Sequence, residues 1–316
     1  MTKINQTILV ICGPTASGKT SLALSIAKEL VGAIHESPVS TPIVNILSVD
    51  SRQIYQDLDI LTGKDIPTEL PPSIKVFGLN LIKADQVMNL ADFVRYAHKV
   101  ISNSIKENIR LIIVGGTGLY LKAVTSNLLD VNVPPNEKLR TKLEKLNTEE
   151  LKKILLQSNP AKYHSLNNSD INNPRRLIRA IEIAKFKKPN RRGFIHETRN
   201  IDYHFSFLGL RPDKETQIKN IRDRVLDRLK NGALDEVKTL LKKYPNKNFP
   251  IFTSLGVSPI IDFLEKKISR EELVNQWASA EIDYARRQMV WFKKQPEIIW
   301  YDKDNQPLAT ELTKIF

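Results

Sequence analysis

One short segment near the N-terminus constrains the fold more than any other. Its residues are Gly13, Pro14, Thr15, Ala16, Ser17, Gly18, Lys19 and Thr20. The apolar run 8–12 precedes it, and a stretch in which Leu22, Ile26 and Leu30 recur at a helical spacing follows it. A buried strand, a glycine-bearing loop and a helix in this order are typical of a phosphate-binding loop. The sequence therefore predicts an α/β fold, a parallel sheet flanked by helices and similar to the phosphate-loop NTPases.

The segment also suggests roles for its own atoms. Successive backbone N–H groups of such a loop point at an anion, and the N-terminus of the following helix adds its dipole. Lys19 is placed to reach the outer phosphates, and the hydroxyl of Thr20 is placed to bind Mg²⁺. We expect residues 13–20 to bind a diphosphate or nucleotide, with Mg²⁺ as the cofactor and Thr20 as its protein ligand.

Composition excludes several classes of protein. A chain of 316 residues with 41% hydrophobic residues is not largely disordered and can bury a large core. Its one cysteine, Cys12, excludes a disulfide framework and a cysteine-based metal site, which fits a reducing compartment. Residues 1–6 have no signal-peptide character, and no apolar stretch is long enough to span a bilayer. We expect a cytoplasmic protein without a membrane partner.

The chain is strongly basic, with a formal net charge of +13. Such a surplus favours a polyanionic partner, either a nucleic acid or an anionic membrane surface. A lysine-rich proteome is the other explanation, and the abundance of Lys, Asn and Ile fits it. Of these, the charge favours a nucleic acid.

Two further apolar runs, 43–49 and 111–114, predict strands beside the first. Asp50 directly follows one run, and Thr117 follows the other within Gly-Gly-Thr-Gly. The carboxyl ends of parallel strands form the ligand-binding edge of an open sheet, so Asp50 is expected in the ligand-binding crevice. Most phosphate-loop ATPases carry an Asp where this chain has glycines and Thr117. The difference argues against an ATP-hydrolysing motor and for a transferase.

The remaining elements follow from the same periodicities. We expect an irregular segment at 58–72, a short strand at 76–81, a helix at 90–106 capped by Asn89, a strand at 205–210, and helices at 213–230, 234–243, 258–264 and 270–294. Residues 131–202 lack strand patterns and predict short basic helices at 137–146, 148–157 and 174–185. The predicted domains are a phosphate-loop core, 1–130 and 203–316, and a small all-helical insertion, 131–202.

The last helix of the insertion is rich in cations. Arg175, Arg176 and Arg179 lie in it, and the basic run 185–192 follows, against the single acid Glu182. This density of positive charge favours contacts with a phosphate backbone. A merely solvated helix face is the alternative, because charge runs are often solvated.

Taken together, these segments resemble the tRNA dimethylallyltransferases, the isopentenyltransferases that modify the adenine beside the anticodon. The matching segments are 13–20, 48–51 with Gln53, Tyr55 and Asp59, Thr62-Gly63-Lys64 in place of the family's Thr-Ala-Lys, 114–120, 173–182, and 285–288 with Trp291 and Phe292. They stand in the family's order, so the resemblance covers most of the chain.

The resemblance implies transfer of a dimethylallyl group from dimethylallyl diphosphate to N6 of the adenosine 3′ of the anticodon (position 37), in tRNAs that read codons starting with U. Donors in the loop would stabilise the charge that develops on the leaving diphosphate. Asp50 would be the general base, and Thr117 and Arg224 would complete the catalytic set. The alternatives are Mg²⁺ binding for Asp50, a turn role for Thr117, and an ion pair of Arg224 with Asp223 or Asp227.

The resemblance also implies binding of the tRNA anticodon stem-loop, whose adenine must leave the base stack. The positions that match tRNA-contacting residues are Asp50, Ser51, Arg52, Gln53, Thr117, Arg140, Arg175, Arg176, Leu177, Ile178 and Arg179. The chain departs from the family at Asn220 and Ile282, where arginine is usual. It also departs at Val257 and Ser258, where a tyrosine and a basic residue are usual. These departures concern tRNA contacts and remove no expected catalytic group.

Three other functions are compatible with part of the pattern. An adenylate isopentenyltransferase acting on free AMP or ATP would not need the basic insertion. An RNA-binding protein without activity would not need Lys19, Thr20, Asp50 and Thr117 to be intact. A small-molecule kinase would transfer phosphate from ATP. We expect an enzyme that acts as a monomer on one tRNA.

Overall fold

A six-stranded sheet, parallel at every pairing, organises the chain. The structure, a computed structural model, describes residues 6–32, 43–67, 69–126, 133–186, 203–302 and 309–315. The strands are β1 (Gln6–Cys12), β2 (Val44–Ser48), β3 (Ile74–Phe77), β4 (Arg110–Gly115), β5 (Tyr203–Leu210) and β6 (Ile298–Tyr301). Their order across the sheet is β3-β2-β4-β1-β5-β6. The predicted fold class is confirmed.

The strands β2, β4 and β1 are adjacent in the sheet and almost completely buried. Their burial is that of a parallel sheet with helices on both faces. This explains why they appear in the sequence as continuous apolar runs rather than as alternating patterns. Cys12 at the end of β1 is in register with Gly115 of β4, and Ser48 of β2 is in register with Val114. The chain therefore leaves β1, β2 and β4 at the same edge, which brings the phosphate loop, Asp50 and Thr117 together.

Fourteen α-helices occur within the described residues. They are α1 (Lys19–Gly32), α2 (Asp59–Thr62), α3 (Leu90–Lys106), α4 (Gly118–Thr125), α5 (Glu137–Leu143), α6 (Thr148–Ser158), α7 (Pro160–His164), α8 (Asn168–Ile171), α9 (Pro174–Lys185), α10 (Lys214–Lys230), α11 (Ala233–Lys243), α12 (Val257–Leu264), α13 (Arg270–Phe292) and α14 (Ala309–Leu312). Short 3-10 helices occupy Pro250–Thr253 and Thr313–Ile315. None of the helices in the described part of the chain combines the length and apolar character that a membrane crossing requires.

The capping and packing of α3 agree with the sequence pattern. The side chain of Asn89 accepts a hydrogen bond from the backbone N–H of Asp92 at 3.0 Å, which satisfies a donor of the first turn. Phe93, Ala97 and Ile101 are fully buried on the face toward the sheet. The predicted helix at 90–106 is confirmed to the residue.

The chain divides into two compact units, Met1–Ser126 with Glu197–Phe316, and Asn127–His196. The first carries the sheet, and the second contains α5 to α9. The second unit has its own apolar core, formed by Leu143, Leu151, Leu155, Leu177, Ile178, Ala180 and Ile181. Asn173 caps α9, and Pro174 occupies its first turn, where a missing N–H removes no helical bond. The helix ends at Lys185 as predicted.

The fold differs from the sequence prediction in several places, and the helices α4, α7, α8 and α14 were not predicted. β3 covers Ile74–Phe77 rather than 76–81, because Gly78 turns the chain with φ of +87°. The segment expected to be irregular contains α2, whose first N–H groups are bound by the carboxylate of Glu236 at 2.5–2.8 Å. No strand was expected where β6 lies. α2 and β6 are both four residues long, too short for a clear periodicity.

Candidate active site

The backbone of the phosphate loop depends on its two glycines. Gly13 has φ of +143°, and a Cβ at this position would lie 2.4 Å from the carbonyl oxygen of Leu210 in β5. Gly18 has φ of +85°, a conformation that side chains disfavour. Cys12, which precedes the loop, is 1% exposed, and burial raises the pKa of its thiol to about 12. The loop therefore turns tightly between β1 and α1.

Thr15 is fixed by hydrogen bonds to all of its polar atoms. Its N–H donates to Gln288 at 2.7 Å, and its carbonyl accepts from Gln217 at 3.3 Å. Its hydroxyl donates to Glu281 at 3.2 Å and accepts from Arg224 at 3.3 Å. The N–H of Thr15 is therefore engaged inside the protein rather than directed at a ligand.

The next part of the loop has free donors and a cation. The N–H groups of residues 16–18 make no hydrogen bond within the described part of the chain. The ammonium of Lys19 donates to the carbonyl of Pro14 and to the hydroxyl of Ser17. Burial lowers the pKa of Lys19 to about 8, and the charge of Arg224 acts in the same direction. These backbone donors and the ammonium of Lys19 can bind an anion, and the charge of the ammonium depends on the pH near 8.

The residues around Thr20 fit a Mg²⁺ ion that is bound together with a diphosphate. The hydroxyl of Thr20 makes no hydrogen bond within the described residues and is partly exposed at the first turn of α1. No group of three or more His, Cys, Asp and Glu side chains that could hold a metal occurs in the part of the chain described. Mg²⁺ is usually held by few protein oxygens and completed by water and phosphate oxygens. The single hydroxyl of Thr20, next to the anion-binding loop, matches this preference of Mg²⁺ for few protein ligands.

Asp50 lies at the end of β2 with one oxygen fixed and the other free. Its Oδ1 accepts the backbone N–H of Arg52 at 2.8 Å and that of Gln53 at 3.4 Å. Its Oδ2 has no hydrogen-bond partner among the described residues. The carboxylate lies close enough to the loop for its charge to raise the pKa of Lys19. Asp50 can therefore accept a proton at Oδ2 while backbone donors hold its orientation.

Thr117 connects the end of β4 with the turn that carries Asp50. Its hydroxyl accepts the backbone N–H of Ser51 at 3.4 Å, and Thr117 itself precedes α4. Tyr284 of α13 lies beside both. Burial raises the pKa of Tyr284 to about 12, and the charge of the Asp50 carboxylate acts in the same direction. A hydrogen bond with Thr117 lowers the pKa but does not cancel the rise. Tyr284 is thus a neutral phenol at this site, and the sequence motifs did not single it out.

Arg224 of α10 reaches from its helix to the loop. One terminal nitrogen bonds to Thr15, and the other forms an ion pair with Asp65 at 2.6 Å. The alternative ion pair with Asp223 or Asp227 is not observed, and Asp223 pairs with Lys219 instead. The structure places Arg224 with the predicted diphosphate-binding residues.

A second guanidinium lies behind Arg224 in a buried ion pair. Arg228 donates to Glu281 at 3.0 Å, and both side chains are more than 90% buried. Burial lowers the pKa of Arg228 to about 10, with the charge of Arg224 contributing. Glu281 also binds Thr15, so this pair supports the loop from the side of α10 and α13.

Three side chains on one face of α13 approach the site: Glu281, Tyr284 and Gln288. Their spacing of three and four residues places them in successive turns of the helix. The amide of Gln288 donates to the carbonyl of Gly116 at 2.8 Å while its oxygen accepts from Thr15. Gln288 lies in a segment that resembles the family, and that match was the only signal for it in the sequence. No role was predicted for Glu281 or Tyr284.

Two of the residues predicted to contact tRNA are bound to other parts of the protein. The guanidinium of Arg52 donates to the carbonyl of Pro250 at 2.6 Å and to the hydroxyl of Thr253 at 2.8 Å. The amide of Gln53 donates to the carbonyl of Gly63 at 2.8 Å and accepts from Ser48 at 2.7 Å. Both side chains hold the turn after β2 in place, and neither is free in this conformation.

In the helical unit, two of the predicted arginines converge on a buried carboxylate. Glu182 accepts two bonds from Arg140, at 2.9 and 3.0 Å, one from Arg179 at 3.3 Å and one from the N–H of Asn136 at 2.7 Å. Burial acts to raise the pKa of Glu182, but these hydrogen bonds outweigh it and hold the pKa below its ordinary value. Arg140 and Arg179 thus stabilise this unit, and each remains partly exposed.

The other predicted positions on α9 separate into two groups. Arg175 and Arg176 are exposed, and Arg176 pairs with Asp170. Leu177 and Ile178 are 0% and 7% exposed in the core of the unit. Their side chains face the apolar interior of the unit, and the match of these two positions to tRNA-contacting residues stays a prediction.

The departures from the family also have defined positions. Asn220 of α10 donates to the carbonyl of Ala16 in the loop at 3.4 Å. Val257 is fully buried at the start of α12, whereas Ser258 is exposed. Ile282 is partly buried on α13. Of the four residues, only Asn220 hydrogen-bonds to the loop.

Known proteins of one family are similar to this chain over most of its length. The family model described as IPP transferase matches residues 53–295. A tRNA dimethylallyltransferase of Halothermothrix orenii is 32% identical, with 98% of this chain and 93% of the relative covered. The solved structure of a tRNA delta(2)-isopentenylpyrophosphate transferase of Staphylococcus epidermidis is 26% identical, covers 98% of both chains and superposes with a TM-score of 0.66. That of a Bacillus halodurans tRNA isopentenylpyrophosphate transferase is 25% identical, covers 98% and 95%, and has a TM-score of 0.65. On the family match and the sequence identity, this chain belongs to the IPP transferase family.

Proposed function

We propose that this protein is a tRNA dimethylallyltransferase. It transfers the dimethylallyl group of dimethylallyl diphosphate to N6 of the adenosine at position 37, next to the anticodon, of tRNAs that read codons starting with U. In the reaction the N6 lone pair forms a bond to the allylic carbon, and the bond from that carbon to the diphosphate oxygen breaks. The leaving diphosphate takes the bonding electron pair, and N6 loses one proton.

The loop and α10 supply the groups that bind the diphosphate. The proposed donors are the unbonded N–H groups of residues 16–18, the ammonium of Lys19 within the loop and the guanidinium of Arg224, which bonds to Thr15 of the loop. Charge on the diphosphate increases as the C–O bond breaks, so fixed donors stabilise the transition state more than the bound substrate. A bound Mg²⁺ would supply further positive charge to the diphosphate oxygens, and Thr20 would hold it.

The observation that carries the proposal is the free Oδ2 of Asp50 at the same sheet edge as the loop. An exocyclic amine of adenine is a weak nucleophile, and a carboxylate within hydrogen-bond reach can take its proton while the C–N bond forms. The hydrogen bonds to Oδ1 hold the other oxygen in a fixed direction. Thr117 and Tyr284 lie beside Asp50 and provide polar contacts for the acceptor.

The helical unit and the net charge support a nucleic-acid substrate. The formal charge of +13 suits a polyanion, and Arg175 and Arg176 are exposed at the start of α9. The side chains of Arg140 and Arg179 remain partly exposed although Glu182 holds them. We propose that these four arginines bind the phosphates of the anticodon stem-loop. The protein would act as a cytoplasmic monomer, and sedimentation with and without the stem-loop would test the stoichiometry.

The test is a transfer assay with dimethylallyl diphosphate, Mg²⁺ and an unmodified anticodon stem-loop that carries adenine 3′ of the anticodon. We expect a mass increase of one dimethylallyl group, and Asp50→Asn should abolish it without loss of folding. Asp235→Asn is the matched control, because Asp235 is exposed and pairs only with Lys238. Equal activity on free AMP would identify an adenylate isopentenyltransferase instead, and full activity of Asp50→Asn would refute the role of Asp50.

A further inference from the structure

Gly63 is in contact with two guanidinium groups. It follows α2 in the left-handed conformation, with φ of +64° and ψ of +54°. A Cβ at this position would lie 2.0 Å from a terminal nitrogen of Arg224 and 2.2 Å from one of Arg228. No side chain can therefore occupy position 63 while both arginines keep their places.

The residues around Gly63 also orient Arg224. Its Nη2 donates to Asp65 at 2.6 Å and lies 3.5 Å from the carbonyl oxygen of Gly63. Its Nη1 donates to the hydroxyl of Thr15. A guanidinium is planar, so acceptors at two of its nitrogens fix both its position and the direction of its remaining donors.

The segment that holds Arg224 is itself fixed on its inner side. The ammonium of Lys64 is buried and donates to the carbonyl of Tyr55, the carboxylate of Asp59 and the amide oxygen of Asn80, each at 2.5 Å. These bonds use all three donors of the ammonium, so Lys64 has none left for a substrate. Gln53 adds a hydrogen bond to the carbonyl of Gly63. The segment is therefore a rigid support.

We propose that Gly63 and Asp65 are positioning residues that set where the guanidinium of Arg224 meets the diphosphate. Gly63 does so by leaving the space for the guanidinium, and Asp65 by holding one edge of it. The inference rests on the proposed function for the identity of the diphosphate. The placement of Arg224 can be measured separately from transfer, because inorganic diphosphate is a sufficient probe.

The first experiment compares Gly63→Ala with Gly232→Ala. Gly232 also has positive φ, +107°, but a Cβ there would meet nothing closer than 3.6 Å. Both variants strain the backbone, and only the first displaces a guanidinium. Calorimetry with inorganic diphosphate and Mg²⁺ should show binding weaker by about tenfold or more in Gly63→Ala and changed by less than about twofold in Gly232→Ala. Equal effects in the two variants would overturn the role of Gly63.

The second experiment tests whether the effect passes through Arg224. Gly63→Ala introduced into an Arg224→Ala background should weaken diphosphate binding by less than about twofold, because Arg224 is already gone and the remaining close contact is with Arg228, which lies behind Arg224 in its pair with Glu281. A further tenfold loss in that background would show that Gly63 acts by another route. Thermal unfolding of each variant separates these effects from general destabilisation.

The third experiment separates positioning by Asp65 from competition with the ligand. Asp65→Asn keeps an acceptor for Arg224 and should bind diphosphate within about threefold of the parent protein, whereas Asp65→Ala should bind about fivefold more weakly. Tighter binding by Asp65→Ala would mean that Asp65 only competes for the arginine, and it would overturn the inference. If the parent protein binds diphosphate but transfers no prenyl group, the proposed function fails and these comparisons stay valid.

Discussion

The side-chain oxygen of Gln288 accepts a hydrogen bond from the backbone N–H of Thr15 at 2.7 Å, although 273 residues separate the two in the chain. The amide nitrogen of the same side chain donates to Gly116 at 2.8 Å. One residue of α13 therefore fixes the phosphate loop after β1 relative to the turn after β4. In the proposed reaction, the distance between the diphosphate and the acceptor base would depend on this pairing.

Replacing Gln288 with Ala should lower the free energy of unfolding by about 1–3 kcal/mol, because the partly buried N–H of Thr15 and the buried carbonyl of Gly116 both lose their partner. Urea denaturation measures the change. Gln295→Ala is the control, since the side chain of Gln295, three residues beyond α13, donates to the carbonyl of Trp291 and does not join distant segments. Equal stability of Gln288→Ala and the parent protein would contradict the structural role.

The activity should depend on the ionisation of Lys19. Its lowered pKa, about 8, means that the ammonium loses its proton as the pH rises through that value, and the loop then loses a positive charge. We expect kcat/KM for dimethylallyl diphosphate to fall above this pH in the free enzyme. Lys19→Arg should lose this dependence even if it is less active, because a guanidinium stays charged. A flat profile of the parent protein from one unit below to one unit above that pH would contradict the prediction.

Glu182→Gln should destabilise the helical unit by about 1–3 kcal/mol, because Arg140 and Arg179 lose a charged partner. The folded-state pKa of Glu182 is below its ordinary value of 4.5, so its stabilisation is present above that pH and is lost as the pH falls through the folded-state pKa. Urea denaturation at neutral and acid pH should show the parent and variant converging in acid. Glu149→Gln, at an exposed pair with Lys152, should change little.

Arg176→Ala should weaken binding of the anticodon stem-loop and reduce the slope of log K against log salt by about one unit, as expected for loss of one phosphate contact. Fluorescence anisotropy across a salt series gives this slope. Arg95→Ala, at an exposed arginine of α3, is the control. If both variants keep the slope of the parent protein, Arg176 is part of a solvated face and not of the interface.

Local signals in the sequence were sufficient for much of the fold. The phosphate loop, the cap at Asn89 and the bounds of α3 and α9 all follow from residues within a few positions of one another. α2 could not be found in this way, because the carboxylate that caps it belongs to Glu236 on α11. β6 pairs with β5 as a short edge strand, and four residues carry too little periodicity to reveal it.

The site was predictable where one segment supplies the chemistry, and not where distant segments meet. Asp50, Thr117 and Lys19 lie directly after predicted strands, so their common edge follows from parallel topology. Arg224 pairs with Asp65, 159 residues away, and Thr15 pairs with Glu281, 266 residues away. Contacts between such distant positions leave no periodic pattern in the sequence. Leu177 shows a further limit, because a match to an RNA-contacting segment does not say whether its side chain or its backbone would make the contact, and the side chain lies in the core of the helical unit.

The burial of Cys12 has a practical consequence for solution work. The thiol beside the phosphate loop is 1% exposed and stays protonated, so alkylating and oxidising reagents will reach it slowly. As it is the only cysteine in the sequence, a cysteine introduced at an exposed position would be the one reactive thiol of the molecule. A fluorophore or spin label could then be attached at a chosen position on either unit, without first removing the native sulfur.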